Sequence, residues 1–415
     1  MIFIETPDEL EILTNKRIIV VPVVDGKQHF IYEMAVLIYI IDVDSHEEYV
    51  INLTHPDYTS YAGPLPNMTN AFVLGLNKKF LYHNKVVSDN SVDLNFFIYP
   101  DKHKKFDFYE YIPKPYLIYQ NRFVEWKTYP LSILIKMCND VALEMLAYVN
   151  KFDDYLLEIK KFDNLYYNSL FKTETNIFEF DNDGVYSNYN PYTLTNRPSN
   201  SSFDINLSAL PKKGNIRDKI KSSTNKKLVQ FDYTSFHVYL LTKMLNFELP
   251  NNIDIYLFLN DAYNFSSKTD RDEIKMDFFK YIYGKTEHNS DLSNIISDFK
   301  HTLFEYYKNN GHVISFFLKR KIFFNNHDID QSNKLFNYYL QNAETEYNFL
   351  KIQEIIERIP SQEANLFLYT FDSFLFEFND NNPDIIYKIK QLLEKDGIPV
   401  TTKVGSTYGN LIDIY

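Results

Sequence analysis

The chain reads as a multi-domain protein of mixed α+β class. Three observations point there. Its 415 residues exceed what one hydrophobic core usually organises, so two or three domains are expected. Residues 17–53 hold apolar, β-branched runs of strand length, whereas 130–171 carries apolar residues at helical spacing. Beyond residue 190, short apolar strands end in isolated carboxylates, with helices or further strands behind them.

In chain order, 17–24, 35–41 and 48–53 read as three strands, followed by a helix and a further strand near 79–87. A meander running into α/β units is the pattern of an RNase H-like domain. Its acids are sparse: Asp25 ends the first strand, and Asp42 and Asp44 flank a turn, where a solvated loop pair is the simpler reading. The domain is therefore expected to be non-catalytic. Residues 130–151 form the clearest helix, with Pro130 in its first turn, where a missing N–H costs nothing. Residues 153–171 form a second helix, and 181–203, rich in Asn, Ser, Tyr and Pro, read as a loop or junction.

Composition narrows the chemistry. Cys138 is the only cysteine, so neither an internal disulfide nor a Cys-based zinc site can form, which fits a reducing compartment. The N-terminus has acids where a secretion signal needs bases, and no stretch of about 18 uncharged apolar residues occurs; a cytoplasmic protein without membrane spans is expected. With 34 Tyr and 35 Phe, no single ring carries an argument. The net charge of −12 opposes bulk nucleic-acid binding. Yet Lys212, Lys213, Arg217, Lys219, Lys221, Lys226 and Lys227 crowd together, and Lys319, Arg320 and Lys321 form a second knot. An acidic body with a basic cleft is compatible with salt-sensitive DNA binding.

Three segments carry the chemistry. In VQFDYTSFHVYLL an apolar strand delivers Asp232 and a helix follows; a carboxylate there can hold Mg²⁺ while backbone carbonyls such as that of Tyr233 add to the shell. In RDEIKMDFFKYIYG, Arg271, Lys275, Phe279 and Tyr283 recur every fourth residue, so they share one helix face, and Gly284 can end the helix. Two cations and two rings suit the phosphates, sugar and base of a nucleoside triphosphate; an amphipathic helix with an aromatic core stripe is the plain alternative. In NLFLYTFDSFLFEF two apolar strands flank a tip at Phe371, Asp372 and Ser373, which alone could be a surface turn.

In this order the segments resemble motifs A, B and C of family A (Pol I-like) DNA polymerases. The resemblance extends to TNRPSNSSFDINLSALP, where Arg197, Asn206 and Pro211 match a segment that contacts primer and template; to GNIRDKI; and to Asn337 and Gln341, whose amides match a pair that contacts the minor groove. It covers about the last 225 residues, and its order is more specific than any one motif. Two departures stand out: His237 replaces a Glu that gates against the ribose 2′-hydroxyl, and Ser373 replaces the second acid of motif C.

The resemblance implies a compact, divergent, phage-type member with a right-hand fold behind a degenerate 3′–5′ exonuclease-type domain. The implied divisions are 1–113 for that domain, 114–190 for thumb helices, 191–250 and 313–415 for the palm, and 251–312 for the fingers. It implies primer-dependent addition of dNTPs to primer–template DNA without proofreading, with two Mg²⁺ ions held by Asp232, Asp372 and the Tyr233 carbonyl. Arg271, Lys275, Phe279, Tyr283 and His237 would bind the nucleotide. Arg197, Asn206, Lys212, Lys213, Arg217, Asn337 and Gln341 would bind DNA, and the N-terminal domain would be free for replisome proteins. A single-subunit RNA polymerase-like enzyme and an inactive DNA-binding scaffold are the rival readings.

Overall fold

The computed structural model describes residues 1–25, 30–96, 98, 126, 129–181, 183–202, 205–250, 253–284, 289–324 and 331–414. The chain forms two compact units, Met1–Asn164 and Leu165–Tyr415.

Unit 1 is built on a six-stranded sheet of β1 (Ile2–Phe3), β2 (Arg17–Asp25), β3 (Met34–Asp42), β4 (Glu48–Asn52), β5 (Phe72–Gly75) and β6 (Ser91–Asp93), in the order β1-β4-β3-β2-β5-β6. β2, β3 and β4 form the expected antiparallel meander, while β5 joins β2 and β6 joins β5 in parallel. The strand expected near 79–87 is instead helix α1 (Lys78–His83), and β5 before it takes the place beside β2. Asn77, in the left-handed region at φ 51°, turns the chain from one to the other, a role its short polar side chain tolerates.

Helix α2 (Leu131–Phe152) follows Pro130, which sits just before the first helical residue. Its buried stripe Leu134, Met137, Cys138, Val141, Met145 and Val149 recurs at helical spacing and packs with Ile19, Val21 and Val23 of β2 and Tyr39 and Ile41 of β3. At roughly 2 kcal/mol for each large apolar side chain buried, this seam is the main adhesive of the unit. The thumb proposed for 114–190 spans both units. α2 belongs to the sheet of unit 1, and the unit boundary falls at 164/165, inside helix α3 (Leu156–Asn168). The boundary expected at 113/114 lies outside the described residues.

Unit 1's candidate acids are occupied by structure. Asp42 accepts from the N–H groups of Asp44 and Ser45 at 2.9 and 3.2 Å and pairs with Lys16 at 3.1 Å, closing the β3–β4 turn. Asp25 accepts from the Trp126 N–H at 2.9 Å.

In unit 2 the expected junction at 181–203 contains strands. β7 (Ile177–Phe180) and β8 (Asp183–Tyr186) form a hairpin, with β12 (Ile220–Lys221) on the other side of β7. β9 (Tyr189–Asn190), β10 (Ser199–Ser202) and β11 (Ile205–Asn206) form a second small sheet. Such short, Ser- and Asn-rich strands lack the apolar alternation that marks a strand in sequence.

The main sheet of unit 2 has β13 (Lys226–Tyr233) at its centre, and β14 (His312–Ile314) and β15 (Lys321–Phe323) form a separate hairpin. β16 (Ala364–Thr370) and β17 (Ser373–Asn379) lie on one side of β13, and β18 (Val400–Gly405) and β19 (Ile412–Asp413) on the other, all antiparallel. Helices α4 (Phe236–Met244), α5 (Ile255–Tyr263), α6 (Arg271–Tyr283), α7 (Asp291–Asn310), α8 (Ser332–Arg358) and α9 (Asp384–Glu394) complete it. Among the described residues no helix is long and apolar enough to cross a membrane.

Candidate active site

From Val229 onward β13 alternates as a half-covered strand should: Val229, Phe231 and Tyr233 are buried, and Gln230 and Asp232 are half-buried on the other face. In register it faces Ser373 of β17 and Thr401 of β18. The β16–β17 hairpin turns through Phe371 and Asp372, and the Asp372 carbonyl accepts from the Tyr233 N–H at 3.0 Å. Two strand ends thus bring Asp232 and Asp372 together. Ser373, where a second acid would stand, is buried and accepts from the Gln230 amide at 2.7 Å.

The tip is strained and braced. Phe371 has φ 64°, rare for a bulky side chain and costing roughly 1–3 kcal/mol. Asn348 of α8 donates to its carbonyl at 2.6 Å, and the Arg197 guanidinium lies 3.9 Å from its ring centre. The brace fixes where Asp372 points.

Neither carboxylate makes an ion pair among the described residues. Burial and then the neighbouring Asp372 push Asp232 up to about 6, against the pull of Lys212, Lys403 and Arg217. Burial and Glu344 raise Asp372, with Arg197 and His237 opposing. A carboxylate whose folded-state pKa lies above its unfolded one binds protons more readily in the fold. Stability is therefore lost as pH rises from near 4 through about 6. With chelator present, unit 2 is expected to lose stability across that window, and Asp232→Asn to remove much of the loss. Thermal melts at pH 5 and 7.5 check this; a difference unchanged by Asp232→Asn would place the titration elsewhere.

α6 starts at Asp270, whose side chain accepts from the N–H groups of Asp272 and Glu273. Its buried face is Ile274, Phe278, Tyr281 and Ile282. The core stripe is therefore not the series Arg271, Lys275, Phe279, Tyr283, which forms a separate, half-exposed face. Along it Phe279 and Tyr283 stack with centroids 5.7 Å apart, and Lys275 lies 6.0 Å from the Phe279 ring centre. Arg271 is held by Asp254 at 2.6 Å and Asp272 at 3.0 Å. Lys275 makes no ion pair among the described residues. Gly284 does follow the helix, but with extended backbone at φ −97°, so it provides no left-handed cap.

His237 lies in the first turn of α4, which Ser235 enters at φ 55°. Its Nδ1 bonds the Tyr283 hydroxyl, and its Nε2 lies 3.1 Å from Glu344 of α8. The Tyr283 bond ties the far end of the α6 face to the helix that leaves β13.

No protein-family model matches the sequence, and no curated protein matches it. The fold does have a match. The POL domain of Pol1 from M. smegmatis, solved in complex with DNA primer-template and dNTP, aligns at a TM-score of 0.63 over 98% of this chain and 99% of that one. At 12% identity, that likeness is one of fold.

The residues expected on DNA divide in two. Lys212, Lys213 and Asn206 are exposed. Asn337 and Gln341 are half-buried on α8, and the Asn337 Oδ1 has no hydrogen-bond partner among the described residues. Arg217 instead donates to the Leu210 carbonyl at 2.8 Å and stacks on Tyr408, and Arg197 Nη2 donates to Glu344 at 3.2 Å. The basic runs are largely neutralised. Lys219, Lys221, Lys226 and Lys227 pair with Asp181, Glu179, Glu377 and Asp380, and Arg320 is buried on Glu346. Sequence reading missed Glu344, Glu346 and Asn348, which hold the site from behind. For Glu344 and Asn348 the signal was the spacing Asn337, Gln341, Glu344, Asn348 along one helix face; Glu346 lies off that face and had none.

The residues fit a divalent cation. Two hard carboxylate oxygen donors stand together, unpaired and repelling each other, which a cation would relieve. Among the described residues no set of three His, Cys, Asp or Glu is placed to hold one.

Proposed function

We propose that the chain is a primer-dependent, DNA-directed DNA polymerase that adds dNTPs to a 3′-hydroxyl. The observation that carries this reading is the bond between Tyr283 and His237. It sets the cation-and-ring face of α6 beside the strand that ends in Asp232, within a fold like that of a polymerase domain. Asp232, Asp372 and the Tyr233 carbonyl would hold two Mg²⁺ ions, which would supply charge neutralisation at the transferring phosphoryl group. Lys275, free of acids, would grip the outer phosphates, and Arg271 would join by leaving Asp254. Phe279 would face the sugar, and Tyr283 would stack near the base. Lys212, Lys213, Asn206, Asn337 and Gln341 would contact primer and template; Arg197 and Arg217 would act chiefly as braces.

The main sheet of unit 2 would be the palm, and α5–α7 the fingers. The strand order of unit 1 supports an RNase H-like, exonuclease-type ancestry. The structural duties of Asp25 and Asp42 support its lack of proofreading.

Primer extension tests the reading. A labelled primer–template, Mg²⁺ and dNTPs should give products that run to the template end. Tight DNA binding without extension would favour the scaffold, with Ser373 as its cause, and a preference for rNTPs would favour an RNA polymerase. Lys275→Ala is expected to raise KM for dNTP roughly tenfold with a smaller change in kcat, the loss of one charge-assisted bond. Steady-state kinetics at saturating DNA check it; an unchanged KM would move the phosphate contact off α6.

A further inference from the structure

Glu344 has no exposed surface, yet it lies 100 residues beyond α4 and meets His237 and Arg197 together. We infer that Glu344 is the positioning residue for sugar selection: it fixes the His237 ring, and the fixed ring is what a ribose 2′-hydroxyl would meet. The inference rests on the polymerase reading above.

A neutral imidazole has one donor and one acceptor nitrogen. Glu344 only accepts, so it requires a proton on Nε2 whatever the charge of the ring, and Nδ1 meets the Tyr283 hydroxyl, which can donate or accept. Held at both nitrogens from opposite sides, the ring can neither flip nor swing. Tyr283, tied to it, keeps its stack on Phe279 at an interplanar angle of 13°. Glu344 stays charged although burial acts to raise its pKa, because His237 and Arg197 together draw it below the usual carboxylate range. The hydrogen bond that orients His237 therefore comes from α8 and not from its own helix. A side chain that yields gives little discrimination between sugars differing by one hydroxyl; one that cannot move rejects the larger.

The test compares kcat/KM for dNTP and rNTP in the full-length protein. Glu344→Ala is expected to lower the dNTP preference roughly tenfold or more, mainly through better use of rNTP. Tyr283→Phe removes the other tether without stranding a buried charge, and it is expected to shift the preference in the same direction. It decides the matter if Glu344→Ala does not fold. Unchanged preference in Tyr283→Phe, or in a folded Glu344→Ala, overturns the inference. Nitrogen NMR of ¹⁵N-histidine-labelled protein gives a readout independent of turnover. The His237 ring should hold a fixed proton on Nε2 in the wild type and lose that fixed site in Glu344→Ala. A ring without a proton on Nε2, or an averaging ring, in the wild type sinks the inference whether or not primers are extended. A pinned ring in a protein that extends nothing sinks the polymerase reading, and sugar selection with it.

Discussion

Asp372→Ala is expected to abolish primer extension, lowering kcat by roughly a thousandfold, the rate equivalent of about 4 kcal/mol. The side chain sits at a hairpin tip braced by Asn348 and Arg197, and it forms no ion pair among the described residues. Its removal therefore breaks no ion pair among the described residues, costs only a contact with its own backbone N–H, and relieves a repulsion with Asp232. The variant should fold at least as stably as the wild type and bind primer–template with little change, since no groove contact is lost. Single-turnover extension, anisotropy with labelled DNA and a melt separate these effects. Wild-type extension by Asp372→Ala would mean that the carboxylate pair is not the reaction centre. Asp232→Ala should behave alike, because the two carboxylates act as one unit.

Glu346→Ala is expected to be the most destabilising single change in unit 2, by about 3–5 kcal/mol. Glu346 is fully buried, accepts from Arg320 Nε at 2.8 Å and accepts from the Leu318 N–H at 3.1 Å. Arg320 in turn donates to Asn196 at 2.7 Å, so one buried charge pair joins α8, the β14–β15 hairpin and the segment bearing Arg197. Removing the acid takes away the carboxylate that lies 2.8 Å from a buried guanidinium. Hydrogen exchange across residues 332–358 measures the loss within this unit. The double variant Arg320→Met/Glu346→Leu should recover most of it, because replacing both charges removes the desolvation cost as well. A single variant costing under about 1 kcal/mol would show that the pair is solvated, as surface pairs are.

The contrast between these residues shows what the sequence could disclose. The placing of Asp232 and Asp372 at strand ends was legible because an apolar strand running into one isolated carboxylate stands out in any composition. The α6 face was legible from its spacing of four; its separation from the core stripe became certain only when Ile274 and Phe278 were seen buried. The run AETEYN in α8 reads as a solvated polar face, yet Glu344, Glu346 and Asn348 are all buried. Periodicity cannot separate a buried charge from an exposed one when its partners, Arg197 and His237, lie more than a hundred residues away. For the same reason Arg320 and Arg217, legible as basic patches, prove to be internal braces. The strands within 181–203 escaped because they are short and polar, and the packing of α2 on the sheet of unit 1 was not legible because amphipathic spacing shows that a face is covered but not by what.

The central position of β13 has a consequence for synthesis of the protein. Its partners on the two sides begin at Ser373 and Val400. During translation β13 emerges with both edges bare, and β18 is complete only when residue 405 has left the ribosome. At about 5–20 residues per second this leaves an apolar strand unpaired for roughly ten to thirty seconds. The helices between β13 and β16 can form in that interval, but the sheet that holds the two carboxylates cannot. The site is therefore assembled last, and a chain truncated before Val400 would present β13 as an open edge for aggregation.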